Sequence, residues 1–65
     1  MDEKIHVMPL GDQWEVETDS GAPLAHADSQ GEAVEAAKDL ANEQGGGSVI
    51  LHHEDGVTEE VSPKD

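Results

Sequence analysis

The stretch Ser29-Gln30-Gly31-Glu32-Ala33-Val34-Glu35-Ala36-Ala37-Lys38-Asp39-Leu40-Ala41-Asn42-Glu43-Gln44-Gly45-Gly46-Gly47 reads as one amphipathic helix with its own start and stop signals. Apolar residues recur at Ala33, Val34, Ala37, Leu40 and Ala41, a spacing that gathers them into a single stripe. Ser29 with Glu32 matches a capping box, in which hydroxyl and carboxylate each satisfy a backbone donor of the first turn. Gly45 suits the left-handed position that closes a helix, and the glycine run ends it. The spacing predicts a helix over about 30–44. Glu35, Asp39, Asn42 and Glu43 take the opposite face, where Glu35 and Asp39 repel each other one turn apart.

A helix with one apolar stripe must bury it, and the flanking segments supply strands. Ile5-His6-Val7-Met8 alternates, with Ile5 and Val7 on one face and His6 and Met8 on the other. Pro9 cannot donate to a ladder, which places it at the strand end or on an edge. Leu10 to Gln13 forms the turn into Trp14-Glu15-Val16-Glu17-Thr18, the clearest period-two run in the chain. Asp19 to Pro23 carries turn chemistry, and Leu24 to Ala27 either prolongs the second strand or adds a short edge segment. After the helix, Ser48 to His53 reads as an inner strand, Glu54-Asp55-Gly56 as a hairpin turn, and Val57 to Val61 as the returning strand.

The order ββ–α–ββ predicts an α+β fold. It is a two-layer sandwich in which a four-stranded, mainly antiparallel sheet carries the helix on one face. The expected core is Ile5, Val7, Trp14, Val16, Ala33, Val34, Ala37, Leu40, Ala41, Val49 and Leu51. Residues 1–65 read as a single domain, ordered over about 5–61, with tails at 1–4 and 62–65. This interior is thin and rich in alanine, so stability is expected to need salt, a partner subunit, or both.

Composition narrows the function classes. The 65 residues hold 16 Asp+Glu against 3 Lys+Arg, a formal net charge of -13, with 34% hydrophobic residues and no cysteine. The missing cysteines exclude a disulfide scaffold, a zinc–thiolate site and a cysteine nucleophile. The charge repels phosphate, so nucleic acid is not an expected partner. No apolar run approaches the ~20 residues that span a bilayer, and the acidic start is unlike a signal peptide, so no membrane partner and a cytoplasmic location are expected. Low hydrophobicity with high charge is also the signature of disorder. The clean periods argue instead for a fold in high salt, where a Debye length of about 3 Å at molar salt screens the carboxylates from one another. The abundance of Asp, Glu, Ala and Gly and the near absence of Lys and Arg look like the proteome of a salt-loving archaeon. The competing reading is an acidic module that binds a basic protein.

Four pieces of sequence together resemble a family of short bacterial and archaeal proteins known only as a domain of unknown function. They are His6-Val7-x-Pro9, then Gly11-x-x-Trp14-x-Val16, then Ser29-x-x-Glu32-Ala33-x-x-x-Ala37-x-x-x-Ala41-x-x-x-Gly45, and Ile50-x-His52-x-x-Asp55-Gly56-x-x-x-Glu60. The resemblance covers about 55 residues and implies a ββαββ fold and a haloarchaeal member; it implies no reaction, cofactor or catalytic residue. The chain departs from that pattern at Thr58, where relatives carry an apolar residue. It departs also at Glu35, Asp39, Glu43 and Glu54, where relatives are basic, and it has Ser29 for an equivalent threonine cap.

Few residues point to chemistry. His52 and His53 are adjacent on a strand and face opposite ways, so they cannot chelate together. His6 and His52 can meet across paired strands, with Asp55 or Glu60 as an oxygen ligand, in a set that suits zinc, nickel or copper. That makes a metal-binding domain the alternative to histidines that only hydrogen-bond. Ser29 serves better as a cap than as a nucleophile, Trp14 better as core than as a stacking platform, and Gly45 to Gly47 follow a helix where a phosphate loop would precede one. No enzyme and no cofactor are expected. The face carrying His6, Met8, Ile50 and His52 is expected to lie away from the helix with an apolar centre. That face or a sheet edge is the expected contact for a protein partner or a weak homodimer.

Overall fold

The computed structural model describes residues 4–61, so the expected tail at 62–65 and all but Lys4 of the tail at 1–4 lie outside the described residues. The elements are β1 (Ile5–Leu10), β2 (Gln13–Thr18), β3 (Pro23–Ala27), α1 (Gln30–Glu43), β4 (Val49–His52) and β5 (Thr58–Val61). They build a two-layer α+β sandwich, with α1 packed across β1 to β4 on one side of the sheet.

The sheet has five strands in the order β3-β2-β1-β4-β5, where four mainly antiparallel strands were expected. It is mixed, because β1 and β4 run parallel while the other neighbours are antiparallel. Both corrections have one cause. The ambiguous segment Leu24 to Ala27 forms an edge strand of its own, so three strands precede the helix instead of two. An odd number of passes leaves the chain at the far end of the sheet. The helix carries it back to the end where β1 begins, and β4 sets out in the same direction as β1. Ile5 therefore lies beside Val49, and its amide donates to the Ser48 carbonyl at 2.9 Å.

The turns follow their glycines. Only Gly11 and Asp12 separate β1 from β2, and Gly11 at φ +62° takes the first central position of a two-residue hairpin loop. Pro9 lies within β1, not at its end. It pairs with Trp14 at a point where β4 has already finished, so its missing N–H leaves no bond unmade. Ser29 caps α1 as expected, its Oγ accepting from the Glu32 amide at 3.3 Å. The Glu32 carboxylate accepts in turn from the Ser29 hydroxyl, not from a backbone donor as the capping box would have it. Gly45 and Gly46 close the helix in a Schellman arrangement, donating to the carbonyls of Asn42 and Ala41.

Ile5, Val7, Val16, Ala33, Ala37, Ala41, Val49 and Leu51 are buried. Ala33, Ala37 and Ala41 form the seam of the helix, and their small side chains let it lie close upon the valines beneath. Trp14, Val34 and Leu40 pack against this cluster but stay partly exposed, so Trp14 flanks the core where a central position was expected. Ala25 and Ala27 extend the cluster under the helix from β3. Among the described residues no polar or charged side chain is buried, and no helix is long and apolar enough to cross a membrane.

Candidate functional site

Strand alternation puts a second set of side chains on the face that α1 leaves uncovered. The register aligns His6 with Glu17 and Ile50, Met8 with Glu15, Ile50 with Glu60, and Glu15 with His26. His6, Met8, Ile50 and His52 are each half-buried although no element of the described residues lies over them. Met8 and Ile50 give the middle of this face its apolar content. Glu15, Glu17 and Glu60 stand around them, with Asp19 just beyond the end of β2.

His6 and His52 meet on this face. Nδ1 of His6 lies 2.9 Å from Nε2 of His52, and Nε2 of His6 lies 2.8 Å from Oδ1 of Asp19. The ring centroids are 5.2 Å apart with the planes tilted by 33°. The carboxylate in this cluster is Asp19, which the spacing of the sequence did not single out. Neither candidate oxygen ligand joins it: Asp55 accepts from the Val57 amide inside the hairpin turn, and Glu60 stands opposite Ile50 on β5. Among the described residues no group of three or more His, Asp or Glu is arranged to hold a metal ion.

The remaining histidines pair locally. His26 lies 3.4 Å from Glu15 directly across β3 and β2, a pair hidden while the fate of β3 was open. His53 turns to the other side of the sheet and reaches Glu59 at 3.3 Å. Two open clefts of about 320 and 330 Å³ lie away from the dyad, one lined by Gln13, His26, Asp28 and Glu32, the other by Ile5, Thr18, Leu24 and Leu40. Ser29 is spent on its cap, Trp14 lies on the helix side, and Gly45 to Gly47 link α1 to β4.

The sheet edges are both blunted. On β3 the register slips between Val16 and Glu17, leaving Leu24 as an extra residue beside Pro23. On the other border β5 is four residues long and carries Glu59 and Glu60.

A family model described as uncharacterized protein conserved in bacteria (DUF2188) matches residues 5–62. The chain belongs to this family. The match takes in every strand and the helix, so the open face and the His6–His52 pair lie within the DUF2188 region. No curated protein and no solved structure matches the chain.

Proposed function

We propose that this chain is a non-enzymatic protein-interaction module of a salt-rich, haloarchaeal cytoplasm, docking its partner on the sheet face opposite the helix. The observation that carries the reading is the grouping of Met8 and Ile50 with His6 and His52 on a face that no element of the described residues covers. An apolar centre on such a face gives a partner surface to bury. The blunted edges favour the face over strand addition. Glu15, Glu17, Asp19 and Glu60 rim it, and Lys4 is the one cation near it among the described residues, so a partner with an apolar centre and a lysine- or arginine-rich rim fits it best. A second copy would set carboxylates against carboxylates.

Salt adaptation rests on the 16 acidic residues and the small aliphatic core. Both ideas are tested in one titration. Addition of an amphipathic leucine–lysine peptide in molar KCl should shift the amides of β1 and β4 saturably, and Ile50→Asp should abolish the shift. Shifts spread over the whole acidic surface, or a concentration-dependent dimer in sedimentation, would overturn the docking reading. Diluting the salt should unfold the protein, seen as a red shift of Trp14 emission; an unchanged cooperative melt in dilute buffer would remove the salt dependence.

A further inference from the structure

The hydrogen positions of the Asp19–His6–His52 cluster follow from its geometry. An ionised carboxylate only accepts, so Nε2 of His6, 2.8 Å from Asp19, carries a hydrogen. In a neutral ring that leaves Nδ1 of His6 bare. It must therefore accept from Nε2–H of His52 at 2.9 Å. The ring centroids are separated by that N···N distance plus one ring radius at each end, so the two nitrogens meet head-on. This is the straight line a hydrogen bond prefers, and both lone-pair directions point along it. A chelated metal would need those directions to converge off the line. Nδ1 of His52 remains the bare nitrogen, and no hydrogen bond joins it to a described residue.

We infer that Asp19, His6 and His52 form a proton relay that takes up one proton at the outer nitrogen of His52 and delivers its charge to His6. The incoming proton forms Nδ1–H on His52. The shared hydrogen leaves Nε2 of His52 and bonds to Nδ1 of His6. His6 becomes the imidazolium, donating to Asp19 on one side and to His52 on the other, while His52 stays neutral with its tautomer reversed. Both hydrogen bonds survive; the one to His52 becomes charge-assisted and the one to Asp19 becomes an ion pair. Left on His52, the charge would have one such bond; on His6 it has two, one of them to an anion. On the two rings a second proton finds no lone pair except on the N···N line, so a second ring protonation breaks the contact.

The charged groups around the dyad are compatible with this. Glu17 of β2 stands opposite His6, Glu15 of β2 is engaged by His26 of β3, and Glu60 of β5 stands opposite Ile50. Thr58, opposite His52, is uncharged, and α1 lies across the sheet. Lys4, two positions before His6, is exposed. Resting on the docking function proposed above, the relay places a positive charge in the middle of the contact face on acidification, which weakens the hold on a cationic partner.

The test needs no partner, so it fails separately from that reading. Imidazole nitrogens of the ¹⁵N-labelled chain are followed through an acid titration in molar KCl. The expected record is Nε2–H on both rings at the start, then a first step in which His6 becomes doubly protonated while His52 switches to Nδ1–H without gaining charge. Amide shifts of the folded sheet should persist through this step and change at the second. Asp19→Asn should retain the folded spectrum but lose the tautomer switch, with His52 itself becoming the cation. Three results would overturn the relay: Nδ1–H on His6 at the start, independent titration of the two rings, or saturable shifts of both rings with micromolar nickel or zinc, which would make them a metal pair.

Discussion

The two faces of this sheet are cut from the same strands and differ in almost everything else. On β1, Ile5 and Val7 are buried while His6 and Met8, their immediate neighbours, are half-buried on the open side. On β4, Val49 and Leu51 are buried while Ile50 and His52 are not. The covered face has an aliphatic centre with no buried polar side chain among the described residues, and it holds the fold by exclusion of water. The open face is built from imidazoles, carboxylates and two apolar side chains, and its order comes from hydrogen bonds such as that between His6 and Asp19. The comparison teaches that stability and recognition are written on alternate residues, so each can be changed with limited damage to the other.

The sharpest way to break that separation is a charge on either side of one peptide unit. Val7→Asp should unfold the protein, since an unpaired charge under the helix costs more than about 4 kcal/mol. Met8→Asp should keep a cooperative melt. Equal loss of helical circular dichroism in both variants would end the distinction. Truncation sharpens it further. Ile5→Ala should cost about 3 kcal/mol in chemical denaturation, whereas Ile50→Ala should cost less than about 1 kcal/mol because its side chain already meets solvent. The smallest effect concerns the helix that creates the difference. Ser29→Ala removes the bond to the Glu32 amide and should lower stability by about 1 kcal/mol, read as a small fall in the melting midpoint.

The helix, its cap and its glycine stop were legible because each rests on neighbours in sequence. The buried set was legible for the same reason, except Val34, Leu40 and, above all, Trp14. Its period-two position is on the helix side, yet it pairs with Pro9 beyond the end of β4, where there is too little sheet and helix around it to enclose an indole. The strand count failed at one place. Leu24-Ala25-His26-Ala27 has two alanines facing the helix and little β propensity, and it becomes a strand only because α1 covers Ala25 and Ala27. From that single uncertainty came both the missing strand and the wrong direction of β4. The meeting of His6 and His52 was foreseeable from alternation. The arrival of Asp19 was not, since it depends on how the Thr18 to Ala22 turn folds back, with the Gly21 amide bonded to the Thr18 carbonyl.

The parallel seam between β1 and β4 also sets the order in which the molecule assembles. The β1–β2 and β4–β5 hairpins join residues close along the chain and need little loop closure, whereas pairing Ile5 with Val49 closes a loop that spans most of the chain. Registration of this seam is therefore expected to be the late, rate-setting event of folding, to be checked by refolding rates. Changes along Ile5, Val7, Val49 and Leu51 would be felt in the speed of refolding as well as in the depth of the native basin.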